Sequence, residues 1–335
     1  MNEQLLIQQA KQLYSLENCG ITRVPGHEGG RSTVYIITKT DGKKTVLRVS
    51  SLPDRSEADY LAETEFMHYL ACHGAPVTDV IPSKNHCLVE RCELDGQTAY
   101  LCMFEYAEGM LLSDNGYRYR EGAPLEEYFF NTGKVLGMIH RLSKQYVPQY
   151  PRMAYKDKYN RTYINELIPD RYEVLKAAIF RRLALFDTLP VDSETFGMVH
   201  FDFSDGNYHI DMETGKITVF DFDNCMNCWF MFDLANLWTH GEGWCWHIED
   251  AAERKAYMWS YYNTVLAGYR TETDIPEALF AQLPLFIDMV LIENIVDEFE
   301  CCMRDGEEVD NEDIEDAAIS LIRHIPMAGF FEKQR

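Results

Sequence analysis

Residues Val199 to Asn236 read VHFDFSDGNYHIDMETGKITVFDFDNCMNCWFMFDLAN, and six polar side chains crowd into them: His200, Asp202, Asp205, Asn207, Asp221 and Asp223. They flank two apolar, strand-like runs, where charged and amide groups are costly to bury without partners, so chemistry is the expected reason for them. Met198 to Phe201 leads into a turn at Ser204-Asp205-Gly206, residue types that favour tight turns and local side-chain hydrogen bonds. Tyr208 to Ile210 and Ile217 to Phe220 are β-prone runs joined by residues 211–216, which read as a hairpin with Gly215 at its bend. A hairpin lays its two ends side by side. Asn207, just before the first strand, and Asp221, just after the second, are therefore expected to converge, and hard oxygen ligands of that kind suit Mg²⁺. Asp202, five residues before Asn207, then stands close enough to act as a base or orienter beside the metal rather than as its ligand.

The pattern His200-x-Asp202-x-x-x-x-Asn207, followed by Asp221-Phe222-Asp223, resembles the catalytic and metal-binding segments of the aminoglycoside phosphotransferase/choline kinase-like family. The longer run FDFDNCMNCWFMFDLA, residues 220–235, is similar to the branch that includes homoserine-kinase-like enzymes. The resemblance implies an α+β, two-lobed protein-kinase-like fold, with a small antiparallel β-sheet lobe and a larger, mostly helical one. It implies ATP and Mg²⁺ as cofactors and transfer of the γ-phosphate to a hydroxyl of a small molecule of aminoglycoside, choline or homoserine type. Carried over, Asp202 is the catalytic base, Asn207 and Asp221 hold the metal, and Asp223 is a second ligand or an orienting group. Positioning and charge neutralisation supply most of the catalysis in kinases generally.

Toward the N-terminus, strand-like segments at 21–24, 34–37 and 45–49 surround a glycine-rich loop, Pro25 to Thr33. Such a loop can lay backbone N–H groups against phosphates, and in the resembling fold Gly29, Gly30 and Ser32 cover the nucleotide. Arg48 falls where that fold usually carries a lysine on the α- and β-phosphates; arginine is also a strong phosphate partner, and its other reading is an ordinary surface residue on the polar side of a strand. Helical spacing runs from Ser56 to Gly74, a typical stop. Either Glu63 or Glu65 can pair with Arg48 from that helix, and the family pattern favours Glu63. Two further strands are expected at Cys87 to Glu90 and Thr98 to Phe104, around Asp95-Gly96. Composition turns helical after Glu105, which sets a hinge and lobes at 1–104 and 105–335. In the resembling family the main chain of that hinge, here Met103, Phe104, Glu105 and Tyr106, bonds the adenine ring.

In the larger part, Leu125 to Leu142 has the spacing of an amphipathic helix, and its His140 reads as a satisfied core histidine. Residues 144–182 form a basic island in an acidic chain, expected as a solvated helical insertion or the rim of a substrate entrance. Asp233 reads as an N-cap or a loop anchor. Cys225-x-x-Cys228 lacks the second ligand pair of a structural zinc site. Trp238 to His247 reads as a glycine- and tryptophan-rich loop, with helices after it at Ala251 to Tyr269, Glu277 to Arg304 and Asn311 to His324. Late helices help bind the acceptor in the resembling enzymes, which makes Asp288, Glu293 and Asp297 candidates to face it; the rest of the acidic run reads as a solvated face.

Bulk properties narrow the classes. A chain of 335 residues is near the limit of a single core. A net charge of −23 argues against nucleic-acid or anionic-membrane partners, which need clustered Lys and Arg. Ten cysteines, a polar N-terminus without a leader pattern and no long apolar run point to reduced thiols and a cytoplasmic location. Two other functions stay open: a haloacid-dehalogenase-like phosphatase with Asp221 as nucleophile, and a nucleotide-binding protein without transferase activity, suggested by Arg48 in place of lysine.

Overall fold

The computed structural model describes residues 3–26, 32–52, 55–94, 96–309 and 311–323. The strands are β1 Gly20–Arg23, β2 Thr33–Thr38, β3 Lys44–Ser50, β4 Glu90–Leu94, β5 Gln97–Glu105, β6 Phe196–Val199, β7 Tyr208–Ile210, β8 Ile217–Val219 and β9 Met226–Trp229. The helices are α1 Glu3–Tyr14, α2 Glu57–Cys72, α3 Leu125–Ser143, α4 Tyr155–Lys158, α5 Arg161–Leu167, α6 Glu173–Phe186, α7 Met231–His240, α8 Glu242–Cys245, α9 Ala251–Tyr269, α10 Glu277–Phe280, α11 Leu283–Asp305 and α12 Asn311–Arg323. They form two compact units: unit 1 is Met1–Gly116 with Tyr146–Arg152 and Tyr208–Asp223, and unit 2 is the remainder.

Unit 1 is built on an antiparallel sheet in the order β1-β2-β3-β5-β4. One face carries Tyr35, Ile37, Leu47, Val49, Leu101 and Met103, and α1 closes it with Leu6 and Ala10. Period-two alternation predicts that Arg48, between Leu47 and Val49, points the other way. It does not reach solvent there, because α2 supplies Glu63 as its partner: both side chains are buried. Gly74 takes φ +86° just past α2 and turns the chain back. The expected strand at Cys87 to Glu90 is corrected: a turn closed by Ser83, whose N–H donates to the Cys87 carbonyl, occupies that place, and β4 begins only at Glu90. Hairpin β7–β8 joins unit 1 through main-chain bonds, Thr78 N–H to Val219 O at 2.9 Å and Ile210 N–H to Met110 O at 2.8 Å.

Unit 2 is mostly helical, and its centre is the pair α3 and α9. A Cβ on Gly133 would lie 1.8 Å from the Val265 carbonyl oxygen, and one on Gly268 would lie 1.9 Å from that of Phe130. These helices touch backbone to backbone, so only glycine fits at either position. The two-stranded ladder β6–β9 pairs Phe196 with Trp229 and Val199 with Met226. Two expectations are corrected here. The tryptophan-rich loop is helical, with α7 running to His240 and α8 following. The long late helix is broken into α10 and α11, because Pro284 lacks an N–H and seats naturally in a first helical turn. Among the described residues no helix is long and apolar enough to cross a membrane.

Candidate active site

In unit 1 the segment Asp221-Phe222-Asp223 follows β8, and its middle residue fixes the outer two. Phe222 is fully buried, its ring edge-on to Phe66 of α2 at 6.0 Å. Asp221 is exposed and takes φ +61°, a left-handed conformation that Asp tolerates better than most residues. Arg48 lies between two carboxylates: its Nη2 donates to Glu63 Oε2 at 2.6 Å, and its Nη1 is 3.7 Å from Asp221 Oδ1. Burial alone pulls the Arg48 pKa down, but the Glu63 carboxylate outweighs it and the net direction is up. The guanidinium also lies 5.1 Å from the Phe104 ring centroid. Glu65 serves elsewhere, accepting from Tyr146 Oη and from the Gln149 backbone N–H, each at 3.0 Å.

Asp223 is held through its main chain, because the guanidinium groups of Arg55 and Arg152 both donate to its carbonyl oxygen. No motif marks these two arginines, beyond Arg152 lying in the basic island. Ser32 Oγ shares a hydrogen bond with Ser50 Oγ at the edge of β2 and β3. Gly29 and Gly30 lie outside the described residues. Of the hinge candidates, Met103 and Phe104 are buried within β5. The Met103 carbonyl accepts from Ile81 N–H at 2.7 Å and the Glu105 N–H donates to Asp79 O at 2.9 Å. Tyr106 lies beyond the strand, its ring 5.0 Å from Lys44 Nζ and edge-on to His209.

In unit 2 the loop after β6 carries Asp202. The N–H groups of His200 and Phe201 donate to Asp233 Oδ2 and Oδ1, each at 3.0 Å. Asp233 sits in the first turn of α7, so it is the loop anchor and not an N-cap. His140 completes the network, its Nε2 3.1 Å from Asp233 Oδ2 and its Nδ1 3.0 Å from Tyr269 Oη. Burial holds the His140 pKa below its usual value, with Asp233 pulling the other way. Phe201 adopts φ +72° and stacks on Phe232 at 4.2 Å; a bulky residue in that conformation is strained and persists because its surroundings fix it. Asp202, the next residue, is half-buried, and Asn207 Nδ2 donates to its carbonyl at 2.8 Å and to its Oδ2 at 2.9 Å. That orientation leaves Asn207 Oδ1 as the atom a cation would take.

One face of α11 adds Glu293, Asp297 and Glu300, spaced so that they share a helix side. Burial first, then the neighbouring Asp297 and, more weakly, Asp202, push the Glu293 carboxyl up to about 8. Glu300 accepts from Lys158 Nζ at 3.0 Å and from Tyr163 Oη. Tyr155 and Tyr159 stack beside this face at 4.4 Å. Asp288 is committed to Arg182, whose Nε donates to it at 2.7 Å. Cys225 and Cys228 are buried core thiols.

The phosphatase reading of Asp221 requires an α/β sheet, whereas every strand pair described is antiparallel. A family model, the phosphotransferase enzyme family, matches residues 23–271. The chain is 26% identical over 254 residues to an amicoumacin kinase of Bacillus subtilis (strain 168), covering 74% of this chain and 71% of that protein. Among solved structures, amicoumacin kinase hAmiN in complex with AMP-PNP, Ca²⁺ and Ami superposes with a TM-score of 0.81 at 23% identity, over 99% of this chain and 96% of that one. A microcompartment-associated aminopropanol kinase superposes with a TM-score of 0.67 at 18% identity, over 96% and 94%. At these identities the structural likenesses establish the two-lobed kinase-like fold. On the family match, the chain belongs to the phosphotransferase enzyme family, the aminoglycoside phosphotransferases, and is a kinase.

Proposed function

We propose that this kinase moves the γ-phosphate of ATP, with Mg²⁺, to a hydroxyl of a small amine-bearing molecule. The observation that carries the reading is Asp202, half-buried on a loop that a fully buried carboxylate clamps by two backbone N–H groups, with the Asn207 amide against it. The donor sets support the metal: the Asn207 Oδ1 and the carboxylates of Asp221 and Asp223 are hard oxygens of the type Mg²⁺ prefers. Bound there, the ion would neutralise charge on the phosphates. Arg48, kept cationic by Glu63, would bind phosphate oxygens, and the main chain near Tyr106 would meet the base. Asp202 would accept the proton of the acceptor hydroxyl as its oxygen forms the new bond to phosphorus and the bond to ADP breaks. Asp297, and Glu293 once its carboxyl ionises at about 8, near the stacked Tyr155 and Tyr159, favour a cationic acceptor, as does the net charge of −23.

Calorimetric titration of ATP into the wild type and Asp221→Ala, with and without Mg²⁺, tests the nucleotide half. Mg²⁺-dependent binding that the substitution weakens at least about tenfold is expected; no ATP binding under any condition sinks the proposal. Asp202→Asn tests the chemical half. It should keep ATP affinity within about twofold and lower kcat about 10²- to 10⁴-fold, and retained turnover would remove Asp202 from the base role.

A further inference from the structure

We propose a metal site distinct from the oxygen donors above, formed by His68, Cys72 and Asp79 in unit 1 and suited to a zinc-class divalent ion. His68 and Cys72 stand four residues apart on α2, so their side chains project from one face of its last turns. Asp79 arrives from the segment that Gly74 turns back, and its Oδ1 is oriented by the Val80 N–H at 2.7 Å. His68 Nδ1 is 2.9 Å from Asp79 Oδ1. Cys72 Sγ is 3.6 Å from His68 Nε2 and 3.8 Å from Nδ1. One ligand atom from each of the three lies within 4.8 Å of the others. Tetrahedral zinc with bonds of 2.0 to 2.3 Å sets its ligand atoms about 3.3 to 3.6 Å apart, so binding parts His68 and Asp79 by a few tenths of an ångström from their hydrogen-bond distance and turns the exposed Cys72 side chain toward them.

The donor chemistry selects the ion. One imidazole nitrogen, one thiolate and one carboxylate suit zinc, whereas Mg²⁺ and Ca²⁺ take oxygen almost exclusively. The site also sits at the C-terminal end of a 16-residue helix, where the macrodipole favours a cation and no Lys or Arg lies in the last turn. Three protein ligands leave a fourth position to water. The competing account is a plain His68–Asp79 ion pair with side chains 44% and 30% exposed; it gives Cys72 no role, and this separates the two. An ion here would fasten the end of α2, the helix that carries Glu63, to residues 79–81, which pair with the end of β5.

The test uses the reduced full chain, stripped with a chelator and titrated with Zn²⁺ by calorimetry and with Co²⁺ by absorption. Variants are Cys72→Ser, His68→Gln and Asp79→Asn, with Cys87→Ser as a control for another exposed thiol. The expected result is one tight ion per chain, a thiolate-to-cobalt charge-transfer band, and Zn²⁺ affinity lowered at least about tenfold in the first three variants only. Because ligands must be deprotonated, wild-type affinity should also fall on acidification, and millimolar Mg²⁺ should not displace the ion. Melting curves confirm that Cys72→Ser folds. Zn²⁺ binding that is absent from the wild type, unchanged in Cys72→Ser, or lost equally in Cys87→Ser overturns the proposal.

Discussion

Glu63 in unit 1 and Asp233 in unit 2 are both fully buried carboxylates on helices, and they differ in how completely they are used. Asp233 accepts from two backbone N–H groups and faces an imidazole, with both oxygens engaged. Glu63 meets Arg48 through Oε2, while its Oε1 accepts no hydrogen bond from any described residue. A saturated buried carboxylate is part of the scaffold. One held by a single charged partner, itself reaching toward the exposed Asp221, keeps capacity for a ligand. Buried polar groups that are only partly satisfied cost stability, so they persist where function needs them.

Asp233→Ala should produce the largest effect. It leaves three buried donors or acceptors without a partner, at about 1 to 3 kcal/mol each, and removes the bonds that hold Phe201 at positive φ. Urea unfolding should show a loss of at least about 4 kcal/mol or an unfolded chain; a loss below about 1 kcal/mol would erase the distinction drawn between the two sites. Next in size is the exchange of the whole pair, Arg48→Met with Glu63→Leu. Well-packed apolar replacements of a buried ion pair are often neutral in stability, whereas Glu63→Leu alone strands a buried cation at about 3 to 5 kcal/mol. The double variant should therefore unfold within about 1 kcal/mol of wild type while losing most of its ATP affinity. A double variant as unstable as the single one would mean that the pair is scaffold too.

The smallest effect is one of pH. Glu293 is raised from 4.5 to about 8, so the folded protein holds this proton across that window and the unfolded chain does not. Its contribution to stability is fully present below about pH 4.5 and is lost as pH rises through about 8. The carboxylate that the proposed cationic acceptor would meet forms over the same rise. The KM of an amine-bearing acceptor should accordingly fall by up to about tenfold between pH 6.5 and 8.5, with kcat moving less, and Glu293→Gln should flatten the profile. An unchanged slope in that variant would assign the proton elsewhere.

What the sequence disclosed was local. Hairpin β7–β8, helix α2 and the Asp202 loop follow from turn residues and periodicity within a dozen positions of one another. The failures were long-range. Strand β9 escaped notice because Cys225 to Trp229 shows no clean alternation and its partner β6 lies far back in the chain. Gly241 and Gly243 suggested a loop after Trp238, yet Gly241, between α7 and α8, keeps right-handed helical dihedrals, and a Cβ there would meet the Tyr261 ring at 2.5 Å. It is a spacer between packed elements, and spacing alone cannot tell a spacer from a breaker. Arg48 occupies the polar phase of a strand, and only the arrival of α2 makes that face an interior. The choice between Glu63 and Glu65 rests on which side of α2 meets the sheet.

The short hairpin β7–β8 has a consequence for how this protein comes into being. It completes unit 1 through Val219 and Ile210, although about ninety residues, all but 146–152 of them in unit 2, separate it from Gly116 in the chain. A nascent chain therefore carries all five strands of its first sheet but lacks the partners of Pro76, Thr78 and Met110 until residue 219 has been made. The smaller unit is begun first and finished late, so assembly of the two units is interleaved in time as well as in sequence. Long-range closure of this kind is intrinsically slow, and strands that wait for it are open to wrong pairings.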